Sequence, residues 1–213
     1  MKEHQQAFIE LALQYEALKF GEFTLKSGRI SPYFFNAGAF NTGEALAKLG
    51  EFYAQMINDC ELTFDMMFGP AYKGIPLVSS TVSALYSKFG QNYPWSFNRK
   101  EAKDHGEGGM IVGSALQGNV LLIDDVMTAG TAIRESIDLI EKSGAKPCAV
   151  VLMLDRQERG VSHLSAVQEM KQNYGLEVAS LISMSDLIQY LEKSGDNIDT
   201  LENMKRYREQ YGV

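Results

Sequence analysis

Val120-Leu121-Leu122-Ile123-Asp124-Asp125-Val126-Met127-Thr128-Ala129-Gly130-Thr131-Ala132 is the stretch that decides the fold of this chain. Its first four residues are all apolar, without the alternation of a half-exposed strand, which predicts a strand buried on both faces as in parallel sheets covered by helices. Two carboxylates end the strand, small residues make a turn, and a helix is predicted from Thr131 to Ser143, stopped by Gly144. A helix N-terminus offers unpaired N–H groups and the positive end of the helix dipole, while Ala129 and Gly130 keep side chains out of an anion's path. A phosphate monoester fits that description, with the hydroxyls of Thr128 and Thr131 adding bonds. Asp124 and Asp125, acceptors when ionised, suit the vicinal hydroxyls of a ribose. An ordinary strand-to-helix connection with an acidic cap has the same spacing, so the motif has to be weighed with its neighbours.

Outward from this stretch the chain alternates. Towards the C-terminus, strands are predicted at Cys148 to Leu154 and Val178 to Ile182, and helices at Val161 to Tyr174 and from Ser185 onward. Towards the N-terminus come strands at Phe64 to Phe68 and Tyr93 to Asn98, with a helix from Gly74 to Lys88 between them. A helix capped by Asn41 or Thr42, with Glu44 placed for a capping box, carries an apolar stripe of Leu46, Leu49, Phe52, Tyr53, Met56 and Ile57. Before it, Phe23 to Leu25 and Tyr33 to Asn36 read as a hairpin-like flap. Residues 5 to 18 read as an opening helix, with Phe8, Ile9, Ala12, Tyr15 and Leu18 near helical period and Gly21 as its stop. Residues 100 to 118, rich in glycine and charge, read as a long mobile loop of the kind that serves as a lid. The class is α/β, a central mostly parallel sheet flanked by helices, and nothing divides the 213 residues into two domains.

Composition narrows the function. Apolar residues make up 45% and charged residues 22%, the balance of a soluble globular protein, and no apolar run is long enough for a membrane span. The mixed-charge start Met1-Lys2-Glu3-His4-Gln5-Gln6 is unlike a secretory signal, so a cytoplasmic protein is expected. A net charge of −7 argues against nucleic acid as a partner, because displacing counterions from phosphates needs a positive field. Cys60 and Cys148 lack the spacing of a zinc site or disulfide framework and are expected as buried thiols; three scattered histidines build no metal site either.

Four further segments carry candidate chemistry. Phe68-Gly69-Pro70-Ala71-Tyr72-Lys73-Gly74-Ile75-Pro76 joins a strand to a helix through a glycine-rich turn; its glycines have P-loop spacing, but Ile75-Pro76 stands where a Walker motif needs Lys and Ser or Thr. Arg99-Lys100-Glu101-Ala102-Lys103-Asp104-His105 concentrates cations in an acidic protein, beside glycines that can hinge a loop. In the flap, Phe34 and Phe35 must point to opposite faces of a strand, so at most one side chain can stack on a base. Arg156, in Asp155-Arg156-Gln157-Glu158-Arg159-Gly160, emerges at the C-terminal edge of the sheet, where open α/β sheets bind ligands. Its planar fork suits a carboxylate, and a salt bridge with Glu158 is the plainer alternative.

Together these segments resemble the type I phosphoribosyltransferases, and in particular the bacterial orotate phosphoribosyltransferases, nearly from end to end. The resemblance implies the fold of that family, with a small N-terminal hood largely from residues 20 to 40, in a single domain. It implies Mg²⁺-dependent transfer of ribose 5-phosphate from 5-phosphoribosyl 1-diphosphate (PRPP) to orotate, giving orotidine 5'-monophosphate and pyrophosphate in pyrimidine nucleotide synthesis. Asp124, Asp125, Val126, Met127, Thr128, Ala129, Gly130, Thr131 and Ala132 would cradle the ribose phosphate, and Tyr72 and Lys73 the diphosphate. Arg99, Lys100, Lys103 and His105 match the family's catalytic loop, which in a homodimer closes over the neighbouring subunit's site. Lys26 would lie beside the ligands, and Phe34, Phe35, Thr128 and Arg156 would meet orotate. Catalysis would fall to Lys103, Asp124, Asp125, Arg99 and His105, with the metal held mainly by substrate and reached by the two aspartates through water. A cis peptide near Ala71-Tyr72-Lys73 is a further family-based expectation.

Overall fold

The structure, a computed structural model, describes residues 1–25, 27–103, 109–127, 130–160, 163–195 and 197–213, with Ala102 and Lys103 described by their backbone alone. Helix α1 (Glu3–Gln14) buries Phe8, Ile9, Leu11 and Ala12 and stops at Tyr15, where Glu16 takes a left-handed φ of 54°. The chain then enters strand β1 (Leu18–Thr24), paired antiparallel with β2 (Ile30–Phe35) in a two-stranded sheet of their own. The expected flap is therefore present, but the expected helix is too long: Leu18 belongs to β1 opposite Phe35, and Gly21 lies inside the strand at a register shift. Helical spacing alone cannot distinguish Leu18 as the last turn of a helix from Leu18 as the first inward residue of a strand; pairing with β2 decides it.

A short 3-10 turn, Ala37–Ala39, leads into α2 (Gly43–Asp59). Of the two expected caps Thr42 is the one used, its hydroxyl accepting from Ala45 N–H at 3.2 Å. Glu44 pairs with Lys48 one turn on instead of closing a capping box.

The main sheet follows as β3 (Met66–Gly69), α3 (Gly74–Phe89), β4 (Trp95–Lys103), β5 (Gly109–Gly113), β6 (Asn119–Ile123), α4 (Thr131–Lys142), β7 (Lys146–Asp155), α5 (Ala166–Tyr174) and β8 (Glu177–Ser183). Helices α6 (Met184–Ser194) and α7 (Ile198–Tyr211) close the chain. Strand order is β5-β4-β3-β6-β7-β8, parallel throughout except for the antiparallel edge strand β5. Residues 100 to 118 are thus no continuous loop: β4 runs on to Lys103 and pairs with β5, because Phe97, Asn98 and Lys103 find partners in Val112, Ile111 and Gly109. Charge hid these residues from a pattern that looks for apolar runs. Helix α5 begins at Ala166, later than expected, where Ser165 caps it and Gln168 returns the bond.

The period of two along the parallel strands sorts side chains into two cores. Leu121 and Ile123 face one layer with Met67, Val151 and residues of α1, α2, α3 and α6; Val120 and Leu122 face another with Met66, Phe68, Ile133, Ile137 and Ile140. All four residues of the deciding strand are fully buried, as their unbroken apolar run requires. Cys60 departs from expectation: it is the C-cap of α2 and exposed, while Cys148 is half-buried, and both are free thiols. No helix among the described residues is long and apolar enough to cross a membrane.

Candidate active site

The chain runs from β3 outward to β4 and then crosses back to place β6 on the other side of β3. This is the point where the winding reverses, and a crevice opens there beyond the carboxyl ends of the strands. The turns after β3 and β6 line it. After β3, Gly69 and Gly74 bring the two ends of the turn together: a Cβ on Gly69 would overlap the Gly74 carbonyl, and one on Gly74 would come within 2.7 Å of the Gly69 carbonyl carbon and 2.9 Å of Ile123 O. Only glycine lets this turn lie against the end of β6. The turn contains a cis peptide between Ala71 and Tyr72, as expected, and Ala71 N–H donates to Asn98 Oδ1 of β4 at 2.9 Å. Tyr72 is 71% exposed. Lys73 reaches across to Asp125, with 2.5 Å between Nζ and Oδ2.

After β6, Asp125 N–H donates to Asp124 Oδ1 at 2.9 Å, and Asp125 O accepts from Met153 N–H at 2.8 Å, tying the acidic pair to β7. The Tyr53 hydroxyl of α2 donates to Asp124 O at 2.8 Å. Burial, and then the neighbouring Asp125 carboxylate, push the Asp124 carboxyl up to about 7. Sequence reading treated the two acids alike; in the structure Asp125 is the more buried of the two and carries the contact to Lys73.

Gly130, at a left-handed φ of 68°, is the N-cap of α4 and has no side chain to occupy the helix N-terminus. Thr131 and Ala132 are exposed there, Met127 is buried and Val126 bridges to Leu154. A cavity of about 340 Å³ reaches Asp125, bounded also by Ala37, Gly38, Thr42, Lys73 and Pro76.

Arg99 and Lys100 lie on β4 beyond Asn98, with Arg99 Nη1 donating to Gly109 O of β5 at 3.3 Å. Lys26, His105, Thr128, Ala129 and the side chain of Lys103 lie outside the described residues. In the hood, Phe34 is 40% exposed and tilted against Phe23, with centroids 5.5 Å apart, while Phe35 turns the other way and packs against the core. The expected opposition of the pair therefore holds.

Arg156 does emerge past the end of β7, but it also makes the plainer contact. Its Nη2 lies 2.6 Å from Glu158 Oε1 and its Nε donates to the same oxygen at 2.9 Å. Nη2 also donates to Ser31 Oγ of the hood at 3.3 Å, and the guanidinium stands 4.4 Å over the Tyr33 ring. Sequence reading did not single out Tyr53, Asn98 or Arg29, the last of which reaches Glu158 Oε2 at 3.7 Å. A lone Tyr or Asn in a strand or helix pattern carries no mark of the contact it will make.

Residues 37–181 match the model of the phosphoribosyl transferase domain family. The chain is 57% identical over 213 residues, covering all of both chains, to the orotate phosphoribosyltransferase of Yersinia enterocolitica serotype O:8. It is 55% identical over the same length to that of Aliivibrio fischeri. Among solved structures, the Francisella tularensis orotate phosphoribosyltransferase superposes with a TM-score of 0.90 at 45% identity, over 97% of this chain and 100% of that one.

Proposed function

The chain belongs to the orotate phosphoribosyltransferases of the phosphoribosyl transferase family, and from that membership we propose how its residues carry the reaction at the crevice between β3 and β6. The reaction joins orotate to the ribosyl carbon of PRPP, giving orotidine 5'-monophosphate and pyrophosphate in pyrimidine nucleotide synthesis. The observation that carries the site assignment is the Lys73–Asp125 contact, which sets a cation meant for the diphosphate beside the acidic pair meant for the ribose.

The 5-phosphate sits on the N-terminus of α4, where the N–H groups of Thr131 and Ala132 and the left-handed Gly130 leave room for it, with Val126, Met127, Thr128 and Ala129 as further ligands. Asp124 and Asp125 accept from the ribose hydroxyls. Lys73 and the exposed Tyr72 turn meet the diphosphate, joined by Arg99, Lys100, Lys103 and His105 from the β4–β5 hairpin. Phe34, Phe35, Lys26, Thr128 and Arg156 hold orotate. As the diphosphate leaves, positive charge grows on the ribose and negative charge on the leaving group, so preorganised lysines and arginines lower the barrier by stabilising the separated charges. Closure of the hairpin excludes water that would otherwise consume the activated ribose.

Two carboxylates, one already ion-paired with a lysine, are hard oxygen donors too few to enclose a cation; that suits Mg²⁺ carried on the diphosphate and reached through water. Bound there, the metal supplies charge neutralisation of the leaving group. The enzyme is a cytoplasmic homodimer whose catalytic hairpin serves the partner's site, and its partners are small ligands, with no nucleic acid and no membrane.

The test is consumption of orotate by the purified protein, followed by absorbance, with PRPP and Mg²⁺ each added and withheld. Turnover that requires both is the expected result. Transfer to adenine or guanine in preference to orotate would overturn the assignment of the base and leave the phosphate cradle standing.

A further inference from the structure

Arg156 is one member of a larger buried charge cluster. Glu158 accepts from Arg156 on Oε1 and faces Arg29 Nη1 with Oε2 at 3.7 Å, so one carboxylate bridges two guanidiniums. The side chains of Arg156 and Glu158 are both 11% exposed, which makes the charge count inside the cluster matter more than on the surface. The members are held from several directions. Gln157, between the two charged residues, takes a left-handed φ of 50° and donates its N–H to Asp155 Oδ1 at 2.8 Å, so Asp155 turns to the backbone and pairs with neither arginine. Gln157 Oε1 accepts from Ser185 N–H and Oγ at 2.9 and 2.7 Å, and Gln157 O accepts from Val213 N–H at 3.1 Å. Arg29 lies with its guanidinium 4.8 Å over the Tyr211 ring of α7, and Arg156 over Tyr33 of the hood. Sheet edge, hood and C-terminal helix thus converge on Glu158.

Counted over the ion-paired groups alone, two arginines and one glutamate carry a net charge of +1; the Asp155 carboxyl, which accepts from Gln157 N–H, stands outside the pairing and is common to every variant compared below. Were Glu158 and Arg156 alone, the pair would be neutral and would attract a substrate carboxylate less strongly. We propose that Arg29 is a specificity-determining residue: by sharing Glu158 it leaves one surplus positive charge in the cluster, which selects a carboxylate-bearing pyrimidine over a neutral one, while Glu158 positions the Arg156 fork. Arg29 acts through Glu158 and is a positioning residue, not a catalytic one. The inference rests on the reading of Arg156 as the partner of the orotate carboxylate.

Charge counting gives the test. Arg29→Gln makes the cluster neutral; it should raise KM for orotate about ten-fold, the scale of a partly screened unit charge a few ångströms away, far more than it lowers kcat or changes KM for PRPP. Arg29→Gln/Glu158→Gln restores a net charge of +1, and KM for orotate should return toward the wild-type value. Glu158→Gln alone keeps an acceptor oxygen for Arg156, raises the charge to +2 and should not raise KM for orotate. A merely structural role makes the opposite forecast, the double variant being as poor as the worse single one or poorer, and that result would overturn the proposal. Should Arg29→Gln fail to fold, a raised orotate KM in Glu158→Gln overturns it equally. Arg156→Gln separates the two levels. A raised orotate KM there with none in Arg29→Gln removes only the role of Arg29; an unchanged KM in Arg156→Gln removes the carboxylate reading as well.

Discussion

Lys73 Nζ lies 2.5 Å from Asp125 Oδ2, across the seam where the sheet reverses its winding, although the residues are 52 positions apart. Lys73 is 59% exposed in its side chain and Asp125 11%, so the lysine can leave for a diphosphate while the aspartate stays in place. The contact joins the turn that follows β3 to the turn that follows β6, the two loops assigned above to the diphosphate and the ribose in the proposed reaction.

Lys73→Ala should therefore lower kcat/KM for PRPP by about ten- to a hundred-fold, as expected for one charge-assisted contact to the departing group. KM for orotate should change much less. Steady-state kinetics with each substrate varied in turn would check this, and equal losses for both would count against a diphosphate role.

The raised carboxyl of Asp124 has a sign in stability. Its folded value, about 7, lies above the ordinary 3.8, so between these the folded state binds more protons than the unfolded one. Stability then falls as pH rises through that window and levels off above it. Asp124→Asn removes the titration, so the wild type should lose Tm relative to the variant between pH 4.5 and 7.5, by roughly 3 °C or more. Parallel Tm curves for the two proteins would refute the assignment.

Asn98 supplies the acceptor for Ala71 N–H at 2.9 Å and so fixes the turn that presents Tyr72 and Lys73. Asn98→Ala leaves that donor without its partner, at a cost of about 1–3 kcal/mol where water cannot reach it. A lower denaturation midpoint with a raised KM for PRPP is expected. A stability loss with unchanged KM would limit Asn98 to the fold.

If the catalytic hairpin serves the neighbouring subunit, Lys103→Ala and Asp125→Asn place their lesions in different halves of a shared site. Mixing the two inactive dimers should restore activity, up to about a quarter of the wild type when exchange is random, one of the two sites in half of the dimers being intact. Subunit exchange measured by fluorescence without recovery would mean that each site closes within one chain. Lys103→Ala alone should lower kcat more than it raises KM for orotate.

Much of this protein was legible in its sequence, for reasons of scale. Val120 to Ile123 had to be buried on both faces because all four are apolar, and Gly130 ahead of Thr131 marks a helix start with room for an anion; both follow from near neighbours along the chain. The opposition of Phe34 and Phe35 likewise needs only the pleat of a strand. The tertiary structure alone decided the rest. It drew Leu18 out of a helix and into β1 through pairing with Phe35, and made β4 and β5 a hairpin from residues whose charge and glycine content read as a loop. It also set Lys73 on Asp125, and Arg29 and Arg156 on one glutamate, because those contacts depend on strand order and on where the hood folds back. Periodicity reports what each residue faces, while the partner it meets there is a property of the whole chain.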